Sequence, residues 1–208
     1  MPNYCDNQVT ITGSKSVIDK IEKIVKEESK GGLLQFMYPM PKALDGTTAG
    51  PPAKTKKEKL ERMRLQVEYG ASNWYDWRTE NWGTKWDLNE FYGVDRKDDT
   101  ISFGFSSAWA PPIGAYQYFL EQNQTCSLKA YYYEGGCDFM GVWEDGADEC
   151  VCPSDYKSDD DYWKDGLGFE LDEMFNLTES MAEYEEEAEK EDVHEYTKGK
   201  AMNIGEGV

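Results

Sequence analysis

Four of the seven tryptophans fall within fourteen residues, from Trp74 to Asp87. No other stretch constrains the fold as much. A tryptophan buries a large apolar area and keeps one N–H that needs a partner. A cluster of them is either the nucleus of a core or the wall of a cleft that stacks a flat ligand. Charged and amide side chains interleave with the rings: Asp76, Arg78, Glu80, Asn81, Lys85 and Asp87. One face of the stretch is therefore expected to be wet. Gly83 between Trp82 and Thr84 marks a turn or a close backbone approach.

Regular elements can be read on both sides of this stretch. Gln8 to Thr12 alternates polar and apolar, the signature of a half-buried strand. Ser14 can cap a helix over 15–29, where Val17, Ile18, Ile21, Ile24 and Val25 share one face, and Gly31-Gly32 stops it. Leu33 to Tyr38 reads as a second strand, ended by Pro39-Met40-Pro41. Residues 45–57 form a glycine- and proline-rich surface loop. Lys56 to Tyr69 follows as a charged helix with apolar positions at Leu60, Met63, Leu65 and Val67, and Asp87 to Phe91 as a short helix. Thr100 to Phe105 alternates as a strand, and Pro111 or Pro112 opens a helix reaching Gln122. Ser127 to Tyr133 and Asp138 to Trp143 are two further strands, joined at Gly135-Gly136.

That order predicts an α+β fold with the split β-α-β-β-α-β pattern of ferredoxin-like proteins. The domain spans 1–145, with 45–98 as an aromatic-rich insertion. Residues 146–208 form an acidic, partly helical C-terminal extension. A single helix is expected over Phe169–Thr197, docked by Leu171, Met174, Phe175 and Met181 and solvated along its second half. Residues after Gly199 read as a loose tail.

Charge separates these regions. The net charge is −19, and residues 149–208 carry −14 of it. Counterion release on a phosphate backbone needs lysine and arginine, so the extension is not a nucleic-acid-binding surface. As one helix, Phe169–Thr197 would display a charge every ~4 Å, against one per ~1.7 Å for duplex DNA, too sparse for a duplex mimic. It is expected to keep the protein soluble and to steer a basic partner. No apolar run approaches the ~20 residues of a membrane span, and Met1 to Cys5 is not a secretory leader. With five cysteines, an odd number, the chain reads as cytoplasmic, with free thiols.

Metal and cofactor chemistry find little footing. Cys137, Cys150 and Cys152 lack the spacing of a zinc or iron–sulfur site, and His194 is the only histidine. No phosphate-binding glycine loop is present. Nucleophilic catalysis lacks a base near a serine or cysteine. Asp76, Glu80 and Asp87 are the best candidates for general acid–base work, but no catalytic residue is assigned.

Five phrases, Met1-Pro2-Asn3-Tyr4-Cys5-Asp6-Asn7, Tyr38-Pro39-Met40-Pro41, Glu80 to Asp87, Phe105 to Pro112, and Tyr133-Glu134-Gly135 with Phe139 and Gly141, stand in this order. Together they resemble the YubB ferredoxin-like family of phages, prophages and conjugative plasmids, over about residues 1–143. Tyr4 and Ala110 depart from the tryptophan and serine usual there. The resemblance implies a ferredoxin-like domain, an intracellular setting and a mobile-element origin, and supplies no catalytic mechanism.

The functional expectation is a non-catalytic binding module. It would act on a host protein or small ligand through a tryptophan-rich cleft, with host defence as one target. The ligand-binding candidates are Trp77, Arg78, Asn81, Trp82, Thr84, Lys85, Trp86, Asp87 and Trp109. Arg78 and Lys85 would meet a phosphate or carboxylate beside a stacking ring. Two alternatives stand beside this one. The first is single-strand nucleic-acid binding on Phe103, Phe105, Tyr131 and Tyr133. The second is an enzyme acting on a nucleotide or phosphoester. No cofactor, metal or membrane partner is expected.

Overall fold

The computed structural model describes residues 3–27, 32–88, 90–188 and 190. Two compact units divide after Val151. The first is built on β1 (Tyr4–Thr12), α1 (Lys15–Glu27), α2 (Leu33–Met37), α3 (Lys56–Tyr69), α4 (Trp74–Asn81), β2 (Tyr92–Lys97), β3 (Thr100–Ala108), α5 (Ile113–Gln122), β4 (Ser127–Glu134), β5 (Phe139–Glu144) and β6 (Ala147–Val151). The strands form one six-stranded sheet in the order β2-β3-β1-β4-β5-β6, with every pairing antiparallel. The fold class is α+β.

Side chains alternate between the two faces of a strand, so register decides which rings enter the core. Val9 lies opposite Phe103 on one side and Ala130 on the other; Ile11 lies opposite Ile101 and Leu128. These residues, with Phe105 and Tyr132, form the buried face. Ile18, Ile21 and Val25 of α1 and Ala115, Tyr116 and Phe119 of α5 cover it within one apolar core. The expected helical face of α1 is thus the packed one. Tyr131 and Tyr133 pair with Gln8 and Asp6 and point to the opposite face. The four rings proposed as one stacking platform therefore lie on opposite sides of the sheet.

Several expectations are corrected. Leu33 to Tyr38 is not a strand: Leu33–Met37 is α2, packed against α5 and α1. A short apolar run carries no decisive period, and tertiary contacts settled it. The strand beside β3 is instead Tyr92–Lys97, with a bulge between Tyr92 and Asp95, inside the stretch read as insertion. Asp87, Leu88, Glu90 and Phe91 are irregular rather than helical. The acidic stretch after Trp143 contributes β6, whose Asp148 accepts a hydrogen bond from Tyr132 at 2.7 Å.

In the second unit the expected single helix is broken. α6 (Gly166–Phe175) ends at Asn176, which adopts a left-handed φ of 53°, and a separate helical run covers 177–188. Asp172 holds the junction, accepting from the N–H and hydroxyl of Thr178. Tyr156 stacks on Tyr162 at 3.8 Å, and Trp163 donates to the Lys157 carbonyl at 2.8 Å. This small aromatic core was not read from the sequence. Among the earlier expectations, Gly31 as a helix stop, the helix from 191 to 197, His194 and the tail after Gly199 lie outside the described residues. No helix among the described residues is long and apolar enough to cross a membrane.

Candidate functional site: an aromatic groove beside a tryptophan knot

The tryptophan stretch ties three distant segments together. Asn73 caps α4, accepting from the Asp76 N–H at 3.0 Å. Trp77 and Trp82 meet edge to face with ring centroids 6.0 Å apart, and both are buried. The indole N–H of Trp82 donates to the Tyr38 carbonyl at 2.7 Å, and the Tyr38 hydroxyl donates to Asn81 Oδ1 at 2.9 Å. Asn81 Nδ2 in turn donates to the Trp77 carbonyl. The Trp82 N–H, the Tyr38 hydroxyl and the Asn81 amide are thus all paired, while the buried Nε of Arg78 has no hydrogen-bond partner. Gly83 takes a left-handed φ of 88°, where a Cβ would stand 3.1 Å from the Pro111 carbonyl. Thr84 is buried and donates to the Ala108 carbonyl at 2.8 Å.

Asp87 completes the knot. Its carboxylate accepts the N–H groups of Leu34 at 2.8 Å, Gln35 at 3.0 Å and Leu88 at 2.8 Å. The first turn of α2 has no side-chain cap of its own, so a residue 53 positions further on supplies it. A Cβ on Gly32 would collide with this carboxylate, which accounts for the glycine. Burial raises the Asp87 carboxyl above its ordinary pKa, against the pull of the three donors and of Arg78. The Tyr38-Pro39-Met40-Pro41, Glu80-to-Asp87 and Phe105-to-Pro112 phrases therefore converge on one structural joint.

Both cations of the stretch are already engaged. The Arg78 guanidinium lies over Trp82 at 4.7 Å and Trp74 at 5.2 Å. Burial lowers its pKa, while Asp87 and Asp45 oppose that shift. Lys85 Nζ stands 4.5 Å from the Trp86 ring centroid, 5.4 Å from Trp109 and 5.7 Å from Tyr75. The three rings box the ammonium, each contact being of order 0.5–1 kcal/mol where water has access. Trp109 holds a left-handed φ of 70°, and its N–H donates to the Asn3 carbonyl at 3.0 Å. A bulky residue in that region is strained, and such strain gathers at functional sites.

The nine predicted ligand-binding residues thus divide. Trp77, Arg78, Asn81, Trp82, Thr84 and Asp87 belong to the knot. Lys85, Trp86 and Trp109 reach the surface, and Lys85 and Trp109 line a hollow of about 510 Å³ with Trp74, Tyr75, Thr48 and Ala49. Trp86 lines a separate groove of about 560 Å³. Tyr4, Trp86 and Tyr92 are its rings, exposed to 55%, 38% and 46%, and Glu90, Ser106 and Leu88 are among its walls. Among the described residues no lysine or arginine lines it. Ser106 donates to Asp6 at 2.6 Å, and the Tyr92 ring lies over Gly104, a position only glycine leaves open. Burial and the charge of Asp6 both raise the Tyr92 phenol pKa.

Tyr4 and Tyr92 were missed because they lie 88 positions apart, on strands that both pair with β3. The only signal in the sequence was that each is a large aromatic at the end of a strand.

The acid–base candidates serve other ends. Asp76 pairs with Asn73 at the start of α4, Asp87 caps α2, and Glu80 is exposed on α4. Cys5 is buried, and desolvation drives its thiol well above the ordinary range. Cys137 is exposed, and its hydrogen bond to Glu134 raises it. Neither is an activated nucleophile. Among the described residues no three His, Cys, Asp or Glu side chains are grouped to hold a metal ion.

No family model matches the chain, and no curated protein matches it. Among solved structures it is similar to the crystal structure of a protein api92 from Yersinia pseudotuberculosis, of the family DUF1281, with a TM-score of 0.41 and 8% identity over 73% of this chain and 98% of that one.

Proposed function

We propose that the protein is a non-catalytic binding module whose groove of Tyr4, Trp86 and Tyr92 takes a cationic group, presented by a protein partner or a small organic ligand. One observation carries the reading. Among the described residues of the first unit, all three exposed aromatic side chains line one groove, whose charged neighbours Glu90 and Asp6 are both acidic. Ring faces attract cations, and a chain of net charge −19 draws them in from solution. Lys85 in its box shows the same chemistry satisfied from within, so it is not free to clamp a phosphate.

The test is titration with a trimethyl-lysine peptide, an acetyl-lysine control and a nucleoside monophosphate. The methylated peptide should bind, and Trp86→Ala or Tyr92→Ala should each weaken it about 10-fold, the worth of one ring contact. Preference for the nucleotide, or variants that bind as the parent does, would overturn the reading.

The finer fold assignment is also ours to propose. The order β2-β3-β1-β4, with α1 after β1 and α5 after β3, supports a ferredoxin-like core extended by β5 and β6. A phage, prophage or plasmid setting, a cytoplasmic location and a role against host defence rest on the sequence resemblance to the YubB family. The acidic extension discourages contact with nucleic acid. The single-strand reading has lost Phe103 and Phe105 to the core, and no observation favours it.

A further inference from the structure

The first unit exposes six large apolar side chains among its described residues. Three line the groove above. The other three, Leu60, Met63 and Val67, stand on α3 and are exposed to 58%, 61% and 89%. Their spacing of i, i+3 and i+7 puts them in one stripe. α3 is docked by its opposite side, where Leu65 is buried and Tyr69 half-buried. The helix does not need the stripe in order to form. Thr55 and Glu58 make a reciprocal capping box, and Gly70 ends the helix at a left-handed φ of 79°.

The charges around the stripe are set against the helix itself. Lys56, Lys57 and Lys59 crowd the N-terminal end, where the helix dipole is positive, and no basic residue sits in the last turn. Among the described residues no ion pair engages these three lysines, whereas Arg64 is held by Glu61 at 2.8 Å and Glu68 at 2.6 Å. Residues 54–70 carry a net charge of +3 in a chain of −19. An uncovered apolar stripe and a cationic cluster that costs the helix stability thus lie on one surface. An anionic, apolar partner relieves both.

We propose that α3 is a docking helix for an acidic amphipathic helix of a partner protein. Leu60, Met63 and Val67 would take its apolar face, and Lys56, Lys57 and Lys59 its carboxylates. The charge pattern selects this occupant. The stripe has no aromatic anchor for a membrane interface. Nucleic acid would leave the apolar stripe unused.

The test measures fluorescence anisotropy of a labelled, acidic amphipathic peptide of about five helical turns, titrated with the full chain. A scrambled peptide of equal charge, vesicles of phosphatidylserine and phosphatidylcholine, and sedimentation of the protein alone complete the set. The amphipathic peptide should bind. Replacing Leu60, Met63 and Val67 by serine should weaken it at least ~10-fold, as should Lys56→Gln, Lys57→Gln and Lys59→Gln together. The lysine variant should also melt no lower than the parent, since it removes charge that opposes the dipole. No binding, equal binding of the scrambled peptide, retention on the vesicles instead, or self-association abolished by the same substitutions would each overturn the proposal.

Discussion

Two neighbouring tryptophans show how one residue type serves opposite ends. Trp82 is fully buried, is edge-packed on Trp77 and spends its N–H on Tyr38, while Trp86 keeps a third of its surface in water. Trp82→Ala should therefore cost ~3–5 kcal/mol, as truncated buried aromatics do. Trp86→Ala should cost only about 1 kcal/mol, chiefly its ring contact with Lys85. Urea denaturation of the two variants checks this. Equal losses would return Trp86 to the core and remove the groove.

At the scale of elements, α2 is the one held from outside itself. Its five residues are too few to be helical alone. Asp87→Ala should raise hydrogen exchange at the Leu34 and Gln35 amides, leaving the β1–β3 amides protected, since local opening need not reach the sheet. Asp87 also links this joint to pH. Its folded carboxyl lies above the ordinary value of 3.8, so the folded chain holds that proton more tightly than the unfolded one. The linked stabilisation is complete below the ordinary value and is lost as pH rises through the folded one. Relative to Asp87→Asn, the parent should gain stability as pH falls through that window and show a constant difference above it. Denaturant melts between pH 3.5 and 7 follow the gap, and a gap that widens on raising the pH would contradict the assignment.

The whole chain divides by composition and by contact. The sheet does not end at Trp143: β6 covers β5, which would otherwise be an open edge. A chain ending at Val151 should unfold cooperatively, as one domain does. A chain ending at Asp145 should melt lower, having lost the β5–β6 ladder and the Asp148 acceptor of Tyr132. Thermal melts of the two truncations decide this. Equal midpoints would make β6 an ornament.

Periodicity and capping residues determined α1, α3, β1, β3 and β4, because their signals are local: an apolar period, a Thr-x-x-Glu box, a stopping glycine. The importance of the Trp74–Asp87 stretch was legible for the same reason. Tertiary structure alone decided what those residues are for. Leu33–Met37 became a helix because the Asp87 carboxylate accepts its first N–H groups. Tyr92–Lys97 became a strand because β3 offered an edge. Phe103 and Tyr131 parted company because sheet register sends alternate residues to opposite faces. The groove joins Tyr4, Trp86 and Tyr92 across 88 positions, and no local pattern can encode a meeting that strand pairing creates.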